Sequence, residues 1–244
     1  MDITKQELCY IYVSGNFNQN RLTKRMKAVF TPVSIDWKRK PYFDYFFENI
    51  KTKYNITHHI DITSFYSEVK NNNLKFYPSF LFVIMKIVNQ NEEFRMSFNE
   101  NGNLGFWNYV NPSYTIFHDD DKTFSDIWSE YKPTFIEFYQ EIINDIEKYK
   151  NIKKIKAKEN RPANFCPVST IPWLSFESFS QDTYHENSFL YPIIRFGKYY
   201  QKEKQFFIPL SLFVNHAVAD GYHTCKLINE IEEFGKNIKE WMNK

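Results

Sequence analysis

The chain has 244 residues, enough to bury one substantial core, and its 6 glycines and 10 prolines are scattered rather than gathered into a dividing linker. A net charge of +2 at pH 7, with lysines distributed along the chain, argues against a dedicated nucleic-acid binder, which carries a pronounced basic stripe. Aromatic residues make up 19% of the chain, which supplies flat apolar surface for a core, an interface or an aromatic ligand without choosing among them.

Residues 1–27 are polar and basic with one apolar patch at Leu8–Val13, and read as an N-terminal extension of unknown function. Met26 stands just before the expected domain, residues 28–244, and could itself begin translation. The first thirty residues lack a signal-peptide core, and the apolar stretch Phe80–Val88, interrupted by Lys86, is far too short to span a bilayer. The expectation is a soluble, cytoplasmic protein with no membrane partner.

Tyr42–Ile50 presents a broad apolar helical surface, Tyr54–Asp61 alternates as a strand, and Ile62–Lys70 reads as a helix. Pro78 opens a further helix through Val88. Asn103–Trp107, Ser113–His118 and Phe189–Tyr199 read as strands, and Ile127–Tyr149 as a helix. The lysines between Lys148 and Lys158 read as a solvated helix end or loop. Phe206–His216 is a long central strand, and Leu227, Ile228, Ile231 and Phe234 line one face of a closing helix. The class is α/β, a mixed sheet with packed helices. Cys9, Cys166 and Cys225 have no paired spacing, so neither a disulfide framework nor a zinc ribbon is expected, and Cys166 reads as a packing residue.

Two segments carry candidate chemistry. Leu210, Leu212, Val214 and His216 fall on one strand face, so His216 sits rigidly at a strand end, where an imidazole suits proton transfer near neutrality. The bland alternative is a hydrogen-bonded core histidine. A third reading, with His216, Asp220 and His223 as metal ligands, is disfavoured because that spacing crosses a strand-to-helix turn, and no metal is expected. In Pro167–Trp173, Ser169 is either a turn residue or a hydroxyl that donates to a developing oxyanion.

Together, His216-Ala217-Val218-Ala219-Asp220-Gly221, Val168-Ser169-Thr170-Ile171-Pro172-Trp173 and Trp37-Lys38-Arg39-Lys40 closely resemble the type A chloramphenicol acetyltransferases of the CoA-dependent acyltransferase superfamily, in order and spacing. Pro112–His118, Thr123–Ser125 and Lys75–Pro78 agree in character, and the resemblance spans roughly Phe30 to Phe234. It implies the two-layer fold of that superfamily and a homotrimer with active sites between subunits. It also implies acetyl-CoA as cosubstrate, with no permanently bound cofactor. His216 would be the general base and Ser169 the oxyanion donor in a direct transfer. Asp220 invites a serine-hydrolase reading, but the resemblance assigns it a structural ion pair with Arg39, and Gly221 would permit a tight turn beside the site. Lys75, Tyr77, Lys198 and Tyr199 match positions near the CoA channel, where cationic and hydroxyl groups suit phosphates.

The matched acceptor pocket comprises Phe46, Ile50, Thr115, Phe124, Phe179, Gln181 and Arg195. Phe46 replaces a common tyrosine, Gln181 an apolar residue and Arg195 a small hydroxyl residue, while Asn215 replaces the first histidine of the usual pair and Pro167 precedes Val168-Ser169 where other residues are commoner. If Arg195 points into the pocket, its charge calls for a carboxylate, phosphate or internal acid partner. The expected activity is O-acetylation of chloramphenicol, conferring antibiotic resistance. The alternatives are the same transfer to another hydroxylated acceptor, a noncatalytic trimeric binding protein, and, residually, a zinc hydrolase.

Overall fold

The structure, a computed structural model, describes residues 26–181 and 189–243. Most of the expected extension, with Cys9 and His185, lies outside the described residues. Met26 already belongs to the body: it packs on the core, and its carbonyl accepts a hydrogen bond from the Tyr109 hydroxyl at 3.0 Å.

In chain order the elements are β1 (Phe30–Pro32), α1 (Lys40–Asp44) running into a π-helical turn (Tyr45–Asn49), β2 (Lys53–Asp61), α2 (Thr63–Asn71), α3 (Phe76–Val88), a 3-10 turn (Glu92–Arg95), β3 (Met96–Phe98) and β4 (Leu104–Trp107). There follow β5 (Asn111–His118), β6 (Thr123–Trp128), α4 (Phe135–Tyr149), β7 (Phe165–Ile171), β8 (Ile193–Gly197), β9 (Tyr200–Lys202), β10 (Gln205–Asn215), α5 (Gly221–Lys236) and α6 (Ile238–Trp241). The main sheet runs β2-β10-β8-β7-β5-β6, with β9 beside β10. β5–β7 and β7–β8 are parallel and the other pairs antiparallel, so the sheet is mixed. β1, β4 and β3 form a small separate sheet.

Most elements shift by a residue or two from the sequence reading, and three segments differ for a physical reason. α3 begins at Phe76, ahead of Pro78, because the N–H groups of a first helical turn have no intrahelical partner and a proline there loses nothing. The helix expected from Ile127 begins at Phe135. Ile127 and Trp128 are held in the β5–β6 ladder, opposite Tyr114 and Ser113, and Pro133 precedes the Thr134 cap. The strand expected over Phe189–Tyr199 contracts to Ile193–Gly197.

The two faces of the sheet follow from strict alternation. One cross-sheet row, Leu212, Ile194, Val168, Tyr114 and Ile127, is essentially inaccessible to solvent and lies under the helices, with α3 apolar nearly all round at the centre. One residue along each strand, the opposite face carries Thr57, Ser211, Arg195, Ser169, Thr115 and Asp126. A polar row beside a fully apolar one means that only one face belongs to the core of the single chain.

Candidate active site

His216 follows the last residue of β10 and begins a turn over residues 216–218. Asn215 closes that turn: its Oδ1 accepts from the Ala217 N–H at 3.0 Å, and its carbonyl from the Val218 N–H at 3.2 Å. The His216 N–H donates to the Thr52 carbonyl at 3.0 Å, fastening the turn to the start of β2.

The imidazole lies flat on Phe46, with ring centroids 3.8 Å apart and planes at 16°, and meets Tyr54 edge-on at 5.2 Å. Phe46 reaches it from the π-helical turn, whose wider winding is marked by the Ile50 N–H donating to the Tyr45 carbonyl at 3.0 Å. The Tyr54 hydroxyl is 2.6 Å from Thr224 Oγ1, and burial pushes its pKa up to about 12, which keeps it neutral. His216 Nδ1 is buried without a hydrogen-bond partner among the described residues, while the residue as a whole is partly exposed, which leaves Nε2 as the nitrogen able to meet an incoming ligand.

Asp220 caps α5, accepting from the Tyr222 N–H at 3.1 Å. Arg39 Nη1 donates to its Oδ2 at 3.0 Å, and His223 Nδ1 lies 2.7 Å from its Oδ1. Partial burial raises the carboxyl, but the hydrogen bonds from Arg39 and His223 outweigh it and hold the pKa down at about 2. Against an ionised carboxylate, the His223 Nδ1 is the donor. Arg39 caps α1, so this ion pair joins the start of α1 to the start of α5 on either side of the His216 turn. Asp220 is thereby committed, and the histidine beside it is His223, which is not the arrangement a serine-hydrolase triad requires.

Gly221 does not play the expected part. It is the first residue of α5 without a left-handed φ, and a Cβ there would meet nothing within 4 Å. The turn is made by the Asn215 side chain and the Asp220 cap. Gly197 is the glycine held in a close approach, since a Cβ would fall 2.7 Å from Pro209 Cγ and 2.8 Å from the Leu174 carbonyl oxygen.

Ser169 stands on the open face, paired across β7–β8 with Arg195, and Arg195 pairs in turn with Ser211 on β10. Continuing the β5–β7 register puts Thr115 level with Ser169. Phe117 and Phe124 face each other across β5–β6, and Phe117 meets Trp173 edge-to-face at 4.7 Å. Arg195 donates to Gln181 Oε1 and lies over the Phe179 ring, 5.0 Å from its centroid. Its partners among the described residues are thus a neutral amide and an aromatic face rather than the acid or phosphate that the sequence reading called for.

The residues proposed from sequence therefore fall into two groups. Phe46 and Ile50 lie with His216, whereas Thr115, Phe124, Phe179, Gln181 and Arg195 lie with Ser169. His216 is about five residues beyond Ser211 and Ser169 is two strands away, a separation of roughly 15–20 Å at ~3.4 Å per residue and ~4.8 Å per strand. Of the residues matched to the CoA channel, Lys198 is exposed, and the Lys75 N–H donates to the Tyr139 hydroxyl at 3.0 Å. Tyr199 packs on Tyr66 and Phe76, with centroids 5.1 and 5.2 Å away. The Tyr77 ring packs on Tyr114 and Phe196 and its hydroxyl is buried without a partner among the described residues, so it cannot meet a phosphate in this arrangement, and burial drives its pKa far upward. Cys166 is likewise buried, with its thiol pushed up by desolvation. Among the described residues, no group of His, Cys, Asp and Glu side chains is arranged to hold a metal ion.

Sequence reasoning missed Thr52, Tyr54 and Thr224, which fix His216. Tyr54 lies opposite Val214, two residues before His216, and that pairing of distant strands leaves no local spacing signal.

A family profile described as "Chloramphenicol acetyltransferase" matches residues 28–232. A curated relative of that name from Clostridium butyricum is 45% identical over 84% of this chain and 94% of its own, and one from Clostridium perfringens is 41% identical over 85% and 94%. The chain belongs to the chloramphenicol acetyltransferase family. Solved structures agree on the fold of this family member: a chloramphenicol acetyltransferase superposes with a TM-score of 0.78 at 21% identity, covering 84% of this chain and 99% of the other. A dihydrolipoamide acetyltransferase of Azotobacter vinelandii gives 0.60 at 14%, covering 78% and 83%. This chain thus shares the fold of these acetyltransferases, and no helix among the described residues is long and apolar enough to cross a membrane.

Proposed function

We propose that this chain transfers the acetyl group of acetyl-CoA to a hydroxyl of chloramphenicol, at a site completed by a second copy within a homotrimer. His216 Nε2 takes the proton of the acceptor hydroxyl as its oxygen attacks the thioester carbonyl. The Ser169 hydroxyl donates to the oxyanion, whose full charge develops only toward the tetrahedral transition state. On collapse the C–S bond breaks, the proton on His216 passes to the CoA thiolate, and the acetyl ester leaves, with no acyl-enzyme formed. Acetylating a hydroxyl needed for drug action confers resistance.

The observation that carries this reading is the clamped His216 ring, with Phe46 on its face, Tyr54 at its edge and Nδ1 enclosed. A base fixed in this way meets a proton in one orientation. The relatives' names supply the acceptor and the reaction class.

The need for a second copy follows from reach, because a base and an oxyanion donor must both act within about 3 Å of one reacting centre, and the sheet register separates Ser169 from His216 by several times that. Exposed apolar side chains accompany each: Tyr42, Tyr45 and Ile50 beside Phe46 on the His216 side, Phe117, Phe124, Trp173 and Leu174 on the Ser169 side. Apposing the first set of one chain to the second set of another buries both and brings the two functional groups together.

The test is thiol release from acetyl-CoA with chloramphenicol, the product mass checked and His216→Ala run alongside. A product one acetyl group heavier, absent with the variant, is expected. Thiol release with other hydroxylated acceptors but not with chloramphenicol would overturn the acceptor and support the second reading, which Arg195 favours. No release with any acceptor from folded protein would instead support a noncatalytic binding protein.

A further inference from the structure

Arg195 is a charge with neutral neighbours on either side. Across the open face, its neighbours are Ser211 on one side and Ser169 on the other, followed by Thr115. Asp126 ends the row three strands from Arg195, about 14 Å away at ~4.8 Å per strand, and its carboxylate is engaged by Arg161 at 2.9 Å and Ser113 at 3.0 Å. Arg39 and Arg161 each have a carboxylate within 3.0 Å, whereas among the described residues Arg195 has only the Gln181 carbonyl oxygen and the Phe179 ring.

The Arg195 side chain is nonetheless half-buried, and burial pulls its pKa down from the ordinary arginine value. A guanidinium carries five N–H donors in a fixed fork, of which Gln181 takes one. Arg39 and Arg95 each seal an unpartnered Nε in the interior, whereas among the described residues the Arg195 donors other than the one given to Gln181 are neither sealed in this way nor hydrogen-bonded. Holding a partly desolvated cation without a counter-ion is costly, and such a position gains most from a carboxylate, which accepts two parallel hydrogen bonds from the fork.

We propose that Arg195 is a specificity-determining residue that selects acceptors bearing a carboxylate near the hydroxyl to be acylated. The inference rests on the acyl-transfer reading, which places the acceptor beside Ser169. It makes chloramphenicol, which is neutral, an acceptor this pocket accommodates rather than the one it discriminates for. The carboxylate displaces solvent from the open edge of the guanidinium while Phe179 and Gln181 hold the opposite side.

The experiment uses two matched pairs of aryl propanediol acceptors, each pair differing only as carboxylate and carboxamide, on the ring in one pair and on the N-acyl arm in the other. In the wild-type protein, kcat/KM for the carboxylate is expected to exceed that for the carboxamide by on the order of tenfold or more in one pair, as for a charged hydrogen bond. Arg195→Gln should flatten that ratio while keeping an amide against Phe179, Arg195→Ser should flatten it too, and Arg195→Lys should restore part of it. A purely bracing role would change both members of a pair equally and leave the ratio unmoved, overturning the proposal, as would a wild-type preference for the carboxamide in both pairs. A ratio already flat in the wild-type protein, with acetyl-CoA saturation weakened in the variants, also overturns it and assigns the cation to the donor's phosphates. If no acceptor is turned over, the acyl-transfer reading fails, and calorimetric affinities for the same pairs decide the inference separately. A carboxylate preference lost in Arg195→Gln sustains it, and equal affinities overturn it.

Discussion

The Phe46 ring covers one face of the His216 imidazole, with centroids 3.8 Å apart. A phenylalanine has no hydroxyl, so the support it gives the imidazole is steric and dispersive rather than hydrogen-bonded. Phe46→Ala should free the ring to rotate and lower kcat by roughly tenfold to a hundredfold with a small change in KM, since orientation rather than ligand contact is lost. A kcat unchanged within twofold, in steady-state assays of folded protein, would show that Tyr54 and the turn hold the imidazole unaided. His216→Ala should cost roughly two to four orders of magnitude in kcat.

Complementation tests the proposed shared site. Ser169→Ala removes the proposed oxyanion donor and should cost about two to three orders of magnitude in kcat. Co-refolding Ser169→Ala with His216→Ala chains should restore activity, to roughly a quarter of wild type for random cyclic trimers, because a mixed trimer contains one interface with both groups intact. Activity no greater than that of the single variants would mean that each chain carries a whole site.

The Arg39–Asp220 ion pair gives a pH signature. The folded Asp220 carboxyl titrates at about 2 against an ordinary 3.8, so its stabilisation is fully present above the ordinary value and is lost as pH falls through about 2. Asp220→Asn should lower Tm at pH 7 by an amount equivalent to about 1 kcal/mol, after allowing for the solvent screening of a partly exposed pair. The gap from wild type should close progressively below pH 4. A gap of the same size at pH 7 and pH 3 would assign the loss to the helix cap alone.

The two glycines should respond oppositely. Gly221→Ala should be neutral or stabilising by about 0.5 kcal/mol, since the site has room and an ordinary φ. Gly197→Ala forces a methyl against Pro209 and the Leu174 carbonyl, and should cost about 1–3 kcal/mol and disturb the segment carrying Phe179 and Gln181. Thermal unfolding of both variants checks the contrast, which reverses the part that sequence reasoning assigned to Gly221.

Local chemistry was legible in the chain itself. The alternation along β10 located His216 at a strand end, the apolar stripe of α5 located the closing helix, and the motif around Asp220 and Arg39 matched residues that meet at 3.0 Å. Such features depend on near neighbours, whose period of two or 3.6 is written into the sequence. What only the tertiary structure decided is how distant segments share a surface. Strand order set Ser169 beside Arg195 and far from His216, packing turned the Tyr77 hydroxyl inward, and strand pairing brought Tyr54 to the imidazole. Those relations arise from contacts between residues far apart in the chain, where no spacing rule operates, and they set the two candidate catalytic groups of one chain far apart.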